Sequence, residues 1–471
     1  MSTRDPRTEI SDPPDHGGTA SRSRRWLARL SLVLAAAGVA VLVAGGGLRS
    51  VPVLAVGLVS AAVSLAGAFW FLARRGLLRW LALVVLVLSP IAAIVVFALV
   101  GLLWVAVASG AAWLLAGLAA RAALAPDRAD WVMREFPVRS PAARPFLIMN
   151  PRSGGGKVAR YDLRRKAEQL GAEVFLMDVQ GPVDVAEVAR AAVARGADLL
   201  GVAGGDGTQA LVAEVAADHG LPFVVITAGT RNHFALDLGL DRDDPAACLD
   251  ALADGVDLHV DLGTAGAKTF VNNASFGAYA EVVQSPAYRD DKVGSALDML
   301  PDLLCGHGGA SIVVHAGNVA IERARAVLVA NNPYGTGDIA GLSRRARLDS
   351  GSLGVVSVSV STAWQAAGLV RGSRSAGLRV LTAQDVVIDA DEPEIPVGVD
   401  GEAMLLPAPV RCTIRPGALT VRVPANRPGV RAPKASVSWA HLRQLAISWH
   451  RQLPAGTSAA SAGPRREDSV R

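Results

Sequence analysis

The segment PFLIMNPRSGGGK (145–157) joins a compact apolar run to a glycine-rich loop that ends in lysine. The apolar run has the length of a buried strand, and Leu163, Ala167 and Leu170 follow the loop at helical spacing. The alternation continues with strand candidates at 172–178, 198–204 and 222–227 and helix candidates at 183–195 and 208–219. This rhythm predicts a three-layer α/β domain over residues 145–258, with helices on both faces of a parallel sheet.

Three polar, glycine-rich loops follow strands of this predicted sheet: NPRSGGGK (150–157), GGDGT (204–208) and AGTRN (228–232). Because ligands of such sheets collect at the carboxyl ends of the strands, we expect the three loops to form one site. Glycine lets backbone amides approach an anion, and Lys157 adds a full positive charge. The chemistry therefore suits a polyphosphate.

The first loop differs from a Walker A motif. Pro151 and Val158 stand where that motif needs glycine and a hydroxyl residue. For the second loop, the alternative explanation is a plain turn in which Asp206 caps a helix that begins at Thr208. We favour a functional loop, because further loops of the same kind follow neighbouring strands.

After about residue 258 the sequence changes to short runs of alternating polarity. Such runs predict a mainly antiparallel, β-sandwich-like domain over 259–425, with a helical insertion near 281–305. In the last segment, 426–471, Trp439, Leu442, Ala446 and Trp449 recur at helical spacing before a polar tail. This amphipathic helix either lies in an anionic membrane interface or packs on the core of the preceding domains.

The first 125 residues carry most of the apolar excess of the chain, which is 51% hydrophobic overall. Residues 1–25 are polar and predict a disordered tail, and 125–144 is a proline-containing linker. Between them, 26–124 predicts a bundle of about four transmembrane helices, because uncharged stretches there are long enough to cross the hydrocarbon layer. The predicted spans are 27–48, 51–73, 78–99 and 101–121. A cleaved signal peptide and buried helices of a soluble domain are the less favoured alternatives.

The arginines indicate the orientation of these spans. They precede the first span, separate the second from the third, and follow the last, as Arg22, Arg24, Arg25, Arg74, Arg75, Arg79, Arg121 and Arg128. Because cytoplasmic flanks hold the excess of Lys and Arg, both ends of the bundle are expected in the cytoplasm. We therefore predict a multi-pass protein of the plasma membrane whose large module is cytoplasmic.

The net charge indicates the kind of binding partner, and the cysteine content bears on disulfide bonds and zinc sites. The net charge of +5 suits anionic lipid or nucleic acid, and the apolar N-terminal stretches favour lipid, so no nucleic acid partner is expected. The cysteines Cys248, Cys305 and Cys412 lie far apart and indicate neither a disulfide framework nor a zinc site.

Six motifs, in order along the chain, resemble the catalytic family of the diacylglycerol kinases. They are NPRSGGGK (150–157), GGDGT (204–208), GTRNHFA (229–235), FVNNASFG (270–277), ANNPYGTGDIAGLSRRARLDSG (330–351) and VGVDGEAM (397–404). The resemblance implies a two-domain lipid kinase, similar in fold to sphingosine kinases and NAD kinases. It further implies that ATP binds in the cleft with Mg²⁺, and that the end of the chain returns to the first domain.

The resemblance also implies roles for single residues. The residues that would hold the nucleotide are Asn150, Ser153, Gly154, Gly155, Lys157, Gly204, Gly205, Gly207, Thr208, Gly229, Thr230 and Asn232. The catalytic residues would be Asp206, Asp400 and Glu402, with Glu402 as the general base that takes the proton of a lipid hydroxyl. An exposed turn between two strands is the alternative for Asp400 and Glu402.

Two positions depart from the family pattern. His233 stands where many relatives have aspartate, and Ser350 stands where relatives often have aspartate, with Asp349 one position earlier. Metal ligands are therefore left unassigned, and His233 is given no metal-binding role.

The reaction implied is transfer of the γ-phosphate of ATP to a lipid hydroxyl, most simply diacylglycerol to phosphatidic acid. A kinase of a sphingoid base or another lipid, and an inactive membrane sensor of lipid or nucleotide, stay open as alternatives. An NAD kinase is disfavoured, because a soluble dinucleotide gives no reason for membrane spans. A homodimer also stays open.

Overall fold

The computed structural model describes residues 22–47, 50–73, 76–125, 131–177, 183–277, 280, 312–334, 345, 347–358, 378–430 and 439–447. The N-terminal part consists of four helices: α1 (Arg22–Gly46), α2 (Ser50–Ala73), α3 (Leu77–Leu99) and α4 (Leu103–Ala123). Three segments are long and apolar enough to cross a membrane: Ser23–Gly45, Leu77–Leu99 and Leu103–Ala123. Helix α2 contributes a shorter apolar stretch, Ala55–Phe71, so that a fourth span stays a prediction.

Small residues bring these helices together in two pairs, α1 with α4 and α2 with α3. Ser31 Oγ donates to Ala116 O at 2.8 Å, and Ser109 Oγ donates to Gly38 O at 3.1 Å. At Gly67 of α2, a Cβ atom would lie 3.0 Å from a backbone oxygen of α3. Close backbone approach and interhelical hydrogen bonds are the means by which helices associate in lipid.

The α/β part follows a two-residue strand, β1 (Phe136–Pro137). Its parallel strands are β2 (Pro145–Met149), β3 (Glu173–Leu176), β4 (Leu199–Ala203) and β5 (Phe223–Ile226), in the spatial order β3-β2-β4-β5. Its helices are α5 (Lys157–Arg160), α6 (Leu163–Gln169), α7 (Val185–Ala194), α8 (Asp206–Asp218) and α9 (His233–Asp237). Strands β2, β4 and β5 are buried throughout, which explains their continuous apolar sequences.

One predicted helix is divided in the structure. The expected helix after Lys157 becomes α5 and α6, because Asp162 adopts a left-handed backbone conformation with φ 54°. Aspartate tolerates this conformation better than most residues, so the chain can turn there and start a new helix.

The remaining strands form the predicted antiparallel domain. They are β6 (Gly255–Ala265), β7 (Lys268–Phe270), β8 (Asn273–Gly277), β9 (Ile312–Ala316), β10 (Val319–Ala324), β11 (Ala326–Asn331), β12 (Leu353–Val358), β13 (Leu378–Ala383), β14 (Asp385–Ala390), β15 (Glu394–Val399), β16 (Glu402–Pro407) and β17 (Val410–Pro424). One antiparallel sheet has the order β13-β12-β11-β8-β15-β16. It packs through Phe276, Val327 and Val397 on Val314 and Val386 of the second sheet.

That second sheet continues into the α/β part through β17. The first half of β17 pairs antiparallel with β14, and its second half pairs parallel with β5 at Val421 and Arg422. A strand of 15 residues spans about 50 Å, which is long enough to belong to both parts. The strand order of this sheet is β10-β9-β14-β17-β5-β4-β2-β3.

The C-terminal helix α10 (Trp439–Ile447) packs on the N-terminal helices. Leu442 and Ala446 are buried with Ala28, Ala120 and Ala123 of α1 and α4. Arg29 Nε donates to Ala446 O at 3.0 Å. The contacts that the structure describes for α10 are therefore with the N-terminal helices, and not with the core of the preceding domains. Trp449 lies outside the described residues, as do the predicted insertion at 281–305, residues 1–21 and 448–471, and positions 335–344 and 346 of the fifth motif.

Candidate active site

The first and third glycine-rich loops touch each other. Gly154 has φ 56°, and a Cβ atom there would lie 3.1 Å from Gly229 O and closer still to the preceding carbonyl oxygen. Glycine is required, because backbone approaches backbone. Ser153 N donates to Asn150 O at 3.2 Å, which closes the start of the loop. Gly155 has φ 72° and no neighbour within 4 Å of its Cβ position, so that this part of the loop is open.

The second and third loops also touch. A Cβ atom at Gly229 would lie 2.7 Å from Gly204 O and 2.8 Å from Gly205 Cα. Asn232 accepts a hydrogen bond from Gly229 N at 3.0 Å and donates to Gly229 O at 2.8 Å. Asn232 is fully buried, so its side chain shapes this loop from within, whereas Thr230 is exposed.

Lys157 has a supporting position under the first loop. Its Nζ atom donates to Thr227 O at 3.2 Å and to Arg242 O at 2.8 Å. Two of the three N–H donors of the ammonium group are therefore used within the protein. The charge of Lys157 lies at the joined loops, and one donor is left for another acceptor.

Asp206 is the first residue of α8, with Gly207 and Thr208 behind it in the first turn. Its carboxylate accepts hydrogen bonds from His233 N at 3.2 Å and Phe234 N at 3.3 Å. Asp206 therefore links the second loop to the start of α9.

Glu402 lies against the first turn of α8. A Cβ atom at Gly207 would lie 2.8 Å from Glu402 Cδ and closer still to Oε1. Glu402 is exposed at the start of β16, on the antiparallel domain. The carboxylate of one domain thus meets the glycine-rich loop of the other.

Asp400 forms a dense hydrogen-bonded centre beside these groups. Its oxygens accept from Val271 N at 2.8 Å, Asn272 N at 2.8 Å and Asn273 N at 3.0 Å. Burial raises the pKa of Asp400 to about 7; the three N–H groups act against this effect, and the charge of Asp206 adds to it. The structure therefore brings together Asp206, Asp400 and Glu402, which lie up to 196 residues apart in the chain.

Among the described residues, no group of three or more His, Cys, Asp or Glu side chains forms a metal site. Asp349 pairs with Arg347 through two contacts of 2.8 and 3.0 Å, and Ser350 N donates to Asn332 Oδ1 at 2.7 Å. The segment around Ser350 is thus organised by protein contacts. Asp206 and Glu402 supply carboxylate oxygens, the donor type that Mg²⁺ prefers.

Sequence reasoning missed a buried ion pair next to this centre. Arg345 Nε donates to Asp237 Oδ2 at 2.6 Å, and both side chains are almost completely buried. Arg345 stands in the fifth motif among three closely spaced arginines and carries no distinguishing local signal. Only the fold brings it to Asp237.

Comparison with known proteins relates this geometry to a family. The family described as "Diacylglycerol kinase catalytic domain" matches residues 144–265. A protein of Bacillus subtilis (strain 168) named "Diacylglycerol kinase" is 31% identical over 171 residues, which are 34% of this chain and 56% of that protein. A similarly named protein of Mycobacterium tuberculosis (strain CDC 1551 / Oshkosh) is 33% identical over 25% of this chain and 38% of its own length. This chain thus spans less than two thirds of the length of each of these two relatives.

Two further matches extend over more of this chain. A Pseudomonas aeruginosa (strain UCBPP-PA14) protein named "Probable lipid kinase YegS-like" is 28% identical over 61% of this chain and 97% of its own length. A crystal structure of a diacylglycerol kinase from Bacillus anthracis str. Sterne aligns with a TM-score of 0.44 and 18% identity, covering 61% of this chain and 99% of that one. The family model thus matches residues 144–265, which contain all three glycine-rich loops, and this part of the chain is similar to the diacylglycerol kinase catalytic domain.

Proposed function

We propose that this protein is an ATP-dependent lipid kinase that transfers the γ-phosphate of ATP to a lipid hydroxyl, most simply from diacylglycerol to give phosphatidic acid. One observation carries the proposal: Glu402 of the antiparallel domain lies against Gly207, where the glycine-rich loops meet the start of α8. The proposed base would thus lie next to the proposed amide-lined anion site.

In the proposed reaction, the three loops bind the phosphates of ATP. Backbone amides at the start of α8 and in the open part of the first loop would face the polyphosphate, and Lys157 would add positive charge. Thr230 is exposed and available for a ligand, whereas Asn232 holds its loop in shape.

Glu402 then acts as the general base. It would take the proton of the lipid hydroxyl as the oxygen attacks the γ-phosphorus, and the bond from that phosphorus to the bridging oxygen of ADP breaks. Asp206 and Asp400 would hold the surrounding backbone in position. Asp206 would hold Mg²⁺, which would supply charge neutralisation for the phosphates.

The N-terminal helices fit a membrane-resident acceptor. We propose four spans in the plasma membrane, with the catalytic module in the cytoplasm, on the basis of the arginines that flank the helices. An acceptor that stays in the bilayer would then reach the cleft without crossing water. Homodimerisation through the helices is compatible with this arrangement.

The experiment is turnover of γ-labelled ATP by the purified protein over extracted membrane lipids, with Glu402→Gln in parallel. We expect a labelled lipid with the native chain and a loss of about 10² to 10⁴-fold with the variant, the range for a general base. Chromatography of the product distinguishes phosphatidic acid from a phosphorylated sphingoid base. Absence of labelled lipid with the native chain would favour a sensor.

A further inference from the structure

Arg345 is buried at the junction of the two domains. Its guanidinium has 0% relative exposure, and its Nε atom donates to Asp237 Oδ2 at 2.6 Å. Its backbone N–H also donates to Asp237 Oδ1 at 3.2 Å. Because a buried charge is costly unless it is paired and fully hydrogen-bonded, such a group is expected to have a specific role.

The other nitrogens of Arg345 bind the segment between β7 and β8. Nη1 donates to Val271 O at 2.7 Å and to Asn272 O at 3.2 Å, and Nη2 donates to Asn272 Oδ1 at 2.6 Å. The N–H groups of the same two residues donate to Asp400. Arg345 thus fixes one side of a short backbone segment whose other side holds Asp400.

Asp237 connects the same arginine to the other carboxylate. Asp237 is the last residue of α9, and the N–H groups of His233 and Phe234 at the start of α9 donate to Asp206. A single helical turn of five residues therefore separates the group that binds Arg345 from the groups that bind Asp206. The hydrogen bonds form one continuous path from Asp206 through α9 and Arg345 to Asp400.

We propose that Arg345 is a positioning residue that sets the relative placement of Asp206 and Asp400 across the domain junction. The role it serves in catalysis rests on the proposed function. Arginine suits this role because its planar fork presents five donors in fixed directions, whereas the single ammonium of lysine cannot reproduce that geometry. Nη1 of Arg345 also donates to Asn331 O at 2.8 Å, which connects the arginine to the end of β11.

The test compares Arg345→Lys with Arg422→Lys in the purified full-length chain. Arg422 is a matched control, since it is also buried and pairs with Asp257 through contacts of 2.8 and 3.2 Å. It lies on β17, outside the path between the two carboxylates. Both variants keep the positive charge and lose the fork, so that a general effect of losing a buried arginine appears in both.

The readouts are kcat, KM for ATP, and amide hydrogen exchange. For Arg345→Lys we expect kcat to fall tenfold or more with KM changed by less than about threefold, because small misplacement of reacting groups is costly. Exchange should accelerate at residues 233–234 and 271–273. Arg422→Lys should leave both kcat and exchange at those amides within about twofold of the native chain.

Equal effects of the two substitutions, or unchanged exchange at both amide groups in Arg345→Lys, would overturn the proposal. If Arg345→Lys does not fold, the variant Asn272→Ala tests the proposal instead. It removes one side-chain oxygen that accepts from the Arg345 guanidinium and keeps the backbone N–H that donates to Asp400. We expect it to lower kcat and accelerate exchange at residues 271–273, and unchanged values would overturn the proposal. If the native chain shows no turnover, the proposed function fails, and hydrogen exchange still decides the role of Arg345.

Discussion

Gly207 lies at the contact between the first turn of α8 and Glu402 of the antiparallel domain. In Gly207→Ala, the added methyl group would lie 2.8 Å from Glu402 Cδ, so the carboxylate must move. We expect kcat for lipid phosphorylation to fall about tenfold or more. The thermal unfolding midpoint should not decrease, because alanine favours helix.

A suitable control for this change is Gly117→Ala in α4, a helical glycine with no neighbour within 4 Å of its Cβ position. It should leave turnover unchanged. Normal turnover by Gly207→Ala would show that the position of Glu402 at this turn does not matter for the reaction.

Asp400 gives the molecule a dependence on pH. Burial raises the pKa of Asp400 to about 7, so that the folded protein holds this proton more tightly than the unfolded chain does. The associated stability is fully present below about pH 4, the unfolded pKa, and is lost as pH rises through about 7. In the native chain, the thermal unfolding midpoint should therefore fall between pH 5 and 8. Asp400→Asn removes this titration, so the midpoint of the variant should fall by a few degrees less, at about 2–4 °C per kcal/mol.

The measurement is thermal unfolding of the detergent-solubilised protein at several pH values in that range. The amide side chain cannot satisfy all three N–H donors, which adds an offset that does not vary with pH. If plots of unfolding midpoint against pH are parallel for the native chain and the variant, burial of Asp400 does not have the role assigned to it.

Sequence motifs pointed to individual residues of the candidate site, but not to the tertiary contacts that connect those residues. Asp206 and Glu402 stand in short motifs whose small neighbours indicate close backbone approach. By contrast, Asp237 and Arg345 are 108 positions apart, and no local pattern relates them. The orientation of Lys157 toward two backbone carbonyls also depends on tertiary contacts with Thr227 and Arg242.

At the scale of elements, the alternation of strands and helices was predictable because buried parallel strands require continuous apolar sequence. The break at Asp162 was not, since a left-handed residue leaves little trace in the pattern of apolar positions. The length of β17 was also not predictable from the sequence. Its segment reads as an ordinary strand, whereas its joint pairing with β14 and β5 depends on how the two sheets meet.

Helix α10 is expected to depend on its contact with the N-terminal helices α1 and α4. Leu442 is fully buried there, so Leu442→Asp would place a charge in an apolar contact and release the helix. A cysteine introduced by Ala446→Cys should react with a thiol reagent about tenfold faster or more when Leu442→Asp is present, if docking contributes at least about 1.4 kcal/mol.

The matched control is Arg443→Asp, because Arg443 is exposed on the same helix. Cys305 is replaced by serine in all variants, and Cys248 and Cys412 are buried. Equal labelling rates in the two backgrounds would mean that α10 is not held by this contact.

At the scale of the whole molecule, the flanking arginines set the expected orientation. Trypsin should digest the module after residue 131 in inside-out membrane vesicles and leave it intact in right-side-out vesicles, because we propose that this module faces the cytoplasm. Immunoblotting with a C-terminal tag reports the outcome. Digestion in right-side-out vesicles alone would reverse the proposed orientation.

The central claim is that the three glycine-rich loops bind one polyphosphate beside Asp206 and Glu402. Hydrogen exchange of the purified protein with and without a non-hydrolysable ATP analogue tests this claim most directly. We predict that the analogue slows exchange together at residues 153–157, 204–208 and 229–232. Protection confined to another part of the chain, or to one loop alone, would contradict it.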